Sequence, residues 1–132
     1  MTSSCRKNTA LITGAAQGIG EAIAMRLFKE GISCFFLIDK NWRELSTVKN
    51  NLENMGAQVE TLVVDMENVD VLKAKTLSLL ETFGKLDLVI KAAGTTARGS
   101  ITSTTTEVFD HIFSVNVKAP FFFDTVCIRF SE

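Results

Sequence analysis

Short apolar runs alternate with segments of helical periodicity along almost the whole chain, and few architectures accept that rhythm. Thr9-Ala10-Leu11-Ile12-Thr13 reads as a buried strand, and Cys34 to Ile38 as a second. Val59 to Val64 reads as a third, softened by Glu60 and Thr61, and Leu86-Asp87-Leu88-Val89-Ile90 as a fourth. Between them lie helical faces: Ala22, Ile23 and Leu27 after Ile19, then Leu45, Val48, Leu52 and Met55, then Leu72, Leu79, Leu80 and Phe83. Gly31, Gly56 and Gly84 stand where these helices stop. Strands that are apolar on both faces need cover on both faces, so the pattern predicts an α/β protein with a parallel sheet between helices. Right-handed crossovers leave few connections, of which the doubly wound sheet is the commonest. About four strands with flanking helices fill residues 1–132, read as one incomplete domain without linker or repeat. A fourth helical face starts at Phe109, Ile112 and Phe113, with Thr104 and Glu107 spaced as a capping box.

Composition narrows the function classes. Hydrophobic residues make up 46% and charged residues 22%, enough for a packed core and unlike a disordered chain. Net charge is -1 with no basic block, which argues against a nucleic-acid partner. The N-terminal residues 1–7 carry charge but no apolar signal segment, and Phe35-Phe36-Leu37-Ile38 is too short to span a bilayer, so cytoplasm is the expected location. Three widely spaced cysteines suggest neither a disulfide framework nor a zinc site, and Cys34 reads as a small core residue. The single His111 has no second histidine or cysteine nearby, so no metal is expected and the residue reads as a solvated helix position.

The sharpest local feature is Thr13-Gly14-Ala15-Ala16-Gln17-Gly18-Ile19-Gly20, set between the first strand and the first helix. Glycine there accepts positive φ and lets a ligand approach the backbone. The helix that follows offers unpaired N–H groups to a pyrophosphate. An ordinary strand-to-helix turn is the plainer alternative, but here the turn opens a βαβ unit and an acid follows at the end of the second strand. That acid, Asp39, can accept both hydroxyls of an adenosine ribose and repel a 2′-phosphate, favouring NAD over NADP. A solvated strand end is its alternative. Asp65, ending the third strand, is in position to reach an adenine edge. No Gly-Lys-Ser/Thr follows the turn, which excludes a nucleoside-triphosphate loop.

Asn116 lies beyond Ile112 and Phe113 at helical spacing and is expected on their buried face, where an amide needs partners. Pro120, four residues on, has no N–H for the Asn116 carbonyl, so a kink with an acceptor left for water is expected. Taken alone, Asn116 reads as a structural residue at that kink.

The spacing Gly14-x-x-x-Gly18-x-Gly20, followed in order by Asp39, Val64-Asp65-Met66, Ala92-Ala93-Gly94 and Ser114-Val115-Asn116-Val117, resembles the short-chain dehydrogenase/reductase family. The likeness runs from about Thr9 to Val126. It implies a Rossmann fold and NAD(P)-dependent alcohol oxidation or carbonyl reduction, usually in a dimer or tetramer. By that resemblance Gly14, Gln17, Gly18, Ile19 and Gly20 hold the pyrophosphate, Asp39 the ribose, and Asp65 and Met66 flank the adenine. Ala92, Ala93 and Gly94 line the second ribose, and Asn116 is the catalytic-site residue that holds a water in the proton relay. Lys91-Ala92-Ala93-Gly94 departs from the family's usual Asn-Asn-Ala-Gly, and an ammonium at a buried strand end needs a partner or an exit to solvent.

The family's serine and Tyr-x-x-x-Lys helix lie downstream of the asparagine, and this chain contains no tyrosine. A phenol of pKa about 10, lowered by a lysine, is the proton donor that the chemistry needs. The resemblance therefore implies a truncated, NAD(P)-binding portion that is inactive as it stands, with an unidentified alcohol or carbonyl substrate in a longer form. A missing fifth strand leaves strand four as an open edge, and Phe121-Phe122-Phe123 partly in solvent. The alternative is a non-catalytic module that binds NAD or caps a partner subunit.

Overall fold

In the computed structural model of the protein, residues 8–130 are described. The N-terminal residues 1–7, Cys5 among them, and the side chain of Phe83 lie outside the described part, so the expectations placed on them are not taken further. The elements alternate as the apolar rhythm requires: β1 (Thr9–Thr13), α1 (Gly18–Lys29), β2 (Cys34–Asp39), α2 (Trp42–Asn54), β3 (Gln58–Val63), α3 (Val69–Phe83) and β4 (Leu88–Lys91). Then come α4 (Thr106–Phe113), a π-helical turn (Ser114–Lys118), α5 (Ala119–Cys127) and a short 3-10 turn (Ile128–Phe130). No described helix is long and apolar enough to cross a membrane.

The sheet is parallel throughout, in the order β3-β2-β1-β4. Ala10 sits between Phe35 and Leu88 in register, and Ile12 between Leu37 and Ile90. Alternation along β1 and β2 then divides the interior in two. Leu11, Phe36 and Ile38 face α3 and α5 with Leu72, Leu80 and Phe123. Ala10, Ile12, Phe35 and Leu37 face α1 and α2 with Ala24, Leu45, Val48 and Leu52. Every residue of β1 is at most 3% exposed, which is why its sequence carries no charged or solvated face. Each of the three α2 side chains is 1% exposed or less, a burial that stabilises by about 1.5–3 kcal/mol apiece.

Several boundaries move for identifiable reasons. Leu86 and Asp87 precede β4: Asp87 turns its carboxylate onto the Thr9 N–H at 2.9 Å, capping β1 where a strand residue would only pair. The expected Thr104–Glu107 capping box gives way to a simple threonine cap one residue later. Thr105 is the cap and accepts from the Val108 N–H at 3.2 Å, while the Thr104 hydroxyl donates to the Ser100 carbonyl at 2.7 Å. On α1 Gly20 and Ala24 are buried and Ile23 and Leu27 pack half-buried against the core, while Ile19, 74% exposed, lines an open cleft and Ala22 is exposed. Met55 is likewise outside the core, at 45% exposure. Cys34 is buried at the head of β2 and is disulfide-bonded, which an odd count of scattered cysteines did not suggest.

The kink expected from Pro120 takes the form of the π-helical turn. Ala119 donates its N–H five residues back to the Ser114 carbonyl, so the helix widens just before Pro120. Phe123 is 1% exposed, Phe122 half-buried and Phe121 65% exposed. Phe109 and Phe113 stack at 4.6 Å between ring centroids and both remain about half exposed, so the face assigned to the core in the sequence faces out. β4 has a strand neighbour only on its β1 side among the described residues.

Candidate functional site

Connections leave β1 first toward β2 and β3 and later return to β4 on its other side, so the strand order reverses at β1. A crevice opens at the carboxyl ends of the strands at such a point. The cleft found there has a volume of about 300 Å³.

Three glycines shape its floor for three different reasons. Gly14 takes φ +68°, and a methyl group on it would sit 2.6 Å from the Ala93 nitrogen and 2.7 Å from the Ala92 carbonyl carbon. Its bareness lets the turn lie against the tip of β4. Gly20 has the Gly14 carbonyl oxygen where a Cβ would be, which seats the helix on the turn. Gly18 takes φ +58° and has nothing within 4 Å of that direction, so it presents bare backbone to the cleft. Gln17 caps α1 in an extended conformation with no side-chain hydrogen bond, so the first N–H groups of α1 have no side-chain partner.

Asp39 joins the turn to the sheet. One carboxylate oxygen accepts from the Ala16 N–H and the other from the Asn41 N–H, both at 3.0 Å. A carboxylate has about four lone-pair sites, so two remain for a ligand's hydroxyls. Asp65 at the tip of β3 accepts from the Glu67 N–H at 2.9 Å, and Val64 and Met66 beside it are buried. On the β4 side, the Ala92 N–H donates to the Thr13 carbonyl at 3.1 Å and the Ala93 N–H to the Thr13 hydroxyl at 3.4 Å.

All of the residues assigned to the dinucleotide from the sequence line this one cleft: Gly14, Gln17, Gly18, Ile19, Gly20, Asp39, Asp65, Met66, Ala92, Ala93 and Gly94. Lys40, Val64, Thr95, His111 and Val115 line it as well, with no binding role assigned to them from the sequence. Asn116 does not line the cleft but borders it, and it is exposed rather than buried. Its amide is satisfied in another way. Nδ2 donates to the Thr95 carbonyl at 2.7 Å, and Oδ1 accepts from the Thr95 N–H at 2.8 Å, pinning the loop after β4. Lys91 finds both expected remedies: it is partly exposed and pairs with Asp124 of α5 at 2.5 Å. His111 has the acid partner that the sequence did not offer, Glu67 at 3.1 Å.

A family model for short chain dehydrogenase matches residues 8–130. The chain is 33% identical over 114 residues to an uncharacterized oxidoreductase of Staphylococcus epidermidis, covering 86% of this chain and 47% of that protein. It superimposes with a TM-score of 0.84 on a 3-oxoacyl-[acyl-carrier protein] reductase from Brucella melitensis in complex with NAD, at 29% identity over 96% of this chain and 50% of that one. A metagenomic short-chain oxidoreductase in complex with NADP gives a TM-score of 0.86 at 26% identity, covering 92% of this chain and 55% of the other. The chain belongs to the short-chain dehydrogenase/reductase family, and it spans about half the length of these relatives.

Proposed function

We propose that the cleft binds NAD in preference to NADP, as the cofactor site of an enzyme that interconverts an alcohol and a carbonyl compound. The observation that carries this is Asp39, a carboxylate fixed by two backbone donors at the rim of the cleft that Gly18 floors. The bare Gly18 backbone and the α1 terminus without a side-chain cap suit a pyrophosphate. Asp39 suits the two hydroxyls of the adenosine ribose, and its charge opposes a 2′-phosphate despite the neighbouring Lys40. Asp65 and Met66 flank the adenine, and Ala92, Ala93 and Gly94 leave room for the second ribose.

When bound, the nicotinamide ring supplies the hydride chemistry. The chain's own contribution at that end is Asn116, which clamps the Thr95 backbone. Its carbonyl would ordinarily bond the N–H of Pro120, which has none, and in this assignment it holds a water for proton transfer. The chain has no tyrosine, so a phenol proton donor has to come from elsewhere. That observation also favours a second reading, a module that binds NAD without turning it over.

Calorimetric titration separates these from an empty fold. NAD is expected to bind one-to-one and NADP at least tenfold more weakly; equal affinity for both would remove Asp39 from its assigned role. NADH oxidation with carbonyl substrates, with and without a longer homologue added, distinguishes the catalytic reading from the module.

A further inference from the structure

His111 stands on α4, half-buried, and lines the same cleft as Asp39 and Asp65. Its Nδ1 lies 3.1 Å from Oε2 of Glu67, which sits just past the tip of β3. Glu67 in turn donates its backbone N–H to Oδ1 of Asp65 at 2.9 Å. Asp65, Glu67 and His111 thus form a continuous polar chain from the tip of β3 across to α4. Val115, one turn further along the helical path, lines the cleft beside it and is buried.

The geometry points to His111 as a nucleotide-binding residue, its ring forming the α4 wall against the adenine base; this rests on the cleft taking the dinucleotide proposed above. A carboxylate accepts hydrogen bonds and cannot donate them, so Glu67 draws the single proton of the neutral imidazole to Nδ1. Nε2 is then left as an acceptor. Such an acceptor complements the exocyclic amino group of adenine and is mismatched to the carbonyl that replaces it in hypoxanthine. Glu67 fixes the tautomer and the ring orientation, acting as a positioning residue through His111. The bond from Glu67 to Asp65 keeps both adenine-side groups in one frame, so the base is held from the β3 tip and from α4 together.

The test uses the whole chain and three ligands: NAD, AMP and inosine monophosphate. His111→Ala is expected to weaken NAD and AMP by the same factor, about tenfold, as for one lost hydrogen bond. Inosine monophosphate should lose less than twofold. Glu67→Gln, which can place a donor against Nδ1, should lower AMP affinity in the same pattern by a smaller factor. Circular dichroism and the ligand-free thermal midpoint of both variants should match the parent, because both side chains are about half exposed. Unchanged AMP affinity in folded His111→Ala, or equal losses for AMP and inosine monophosphate, overturns the assignment of His111 alone. A parent chain that binds neither NAD nor AMP overturns the cleft assignment as well.

Discussion

Replacing Asp39 by alanine removes two hydrogen bonds that serve the fold and, at the same stroke, the groups assigned to the ribose. Ala16 is 3% exposed, so its N–H, which now bonds Asp39 at 3.0 Å, would be left buried without an acceptor. An unsatisfied buried donor costs about 1–3 kcal/mol. The Asn41 N–H is more accessible, and loss of that bond adds about 0.5–1.5 kcal/mol. Together these predict destabilisation of about 2–4 kcal/mol, a fall in thermal midpoint of roughly 6–15 °C for a chain of this size. Binding should suffer separately. Loss of the charge-assisted contact to the ribose, about 1.5–3 kcal/mol, weakens NAD roughly 10- to 100-fold, while NADP loses less because the repulsion disappears with the charge. Asp39→Asn should be intermediate in stability, since one oxygen acceptor survives, yet should lose the discrimination against NADP. The assays are thermal unfolding by circular dichroism, and calorimetry with both nucleotides well below the lowered midpoint. An Asp39→Ala variant with unchanged midpoint and unchanged NAD/NADP ratio would refute the double role.

The two open-turn glycines should part company on substitution. Gly14→Ala drives a methyl into the Ala92–Ala93 backbone and is expected to unfold the chain or cost more than about 3 kcal/mol, read from urea denaturation. Gly18→Ala meets no atom within 4 Å and should cost only about 1–2 kcal/mol for its left-handed φ, yet abolish measurable NAD binding. Leu52→Ala, emptying a fully buried site between α2 and the sheet, should cost about 2–5 kcal/mol by the same measurement without altering the NAD/NADP ratio. Burial, then the Asp124 carboxylate, pushes the Cys127 thiol up from 9.0 to about 12. The folded state therefore prefers the protonated thiol, and its contribution to stability should hold below pH 9.0 and be lost between there and about pH 12. Mass spectrometry of the Cys127 peptide should show little alkylation of the native chain at pH 8 and full alkylation in denaturant.

What could be read from the residues alone was whatever local chemistry decides. The unbroken apolar runs Ala10-Leu11-Ile12 in β1 and Phe35-Phe36-Leu37-Ile38 in β2 are covered on both faces, so their sequence was unambiguous. The glycine turn and Asp39 were legible because a tight turn before a helix and an acid at a strand end each need a particular residue type. The start of β4 was misplaced because Leu86 and Asp87 look like strand residues, while Asp87 caps β1 from a distant part of the sequence. Thr104 and Thr105 are chemically alike, and only the folded loop decides that Thr105 caps α4. Pro120 announced a disturbance but not its form, since a kink and a π-helical turn are both compatible with the missing donor. Asn116 was expected buried and is exposed, and the Glu67 partner of His111 was not foreseen, for one reason. Their partners, Thr95 and Glu67, come from loops that carry no periodicity, and only the assembled sheet brings them together.

The most direct test follows backbone amide NMR shifts as NAD is added to the isotopically labelled chain. The largest changes are expected at Gly14, Gly18, Ile19 and Ala16, with His111 following, and the α2 core residues Leu45 and Leu52 unmoved. Shifts centred away from the glycine turn and Asp39, or none at millimolar NAD, would contradict the cofactor cleft.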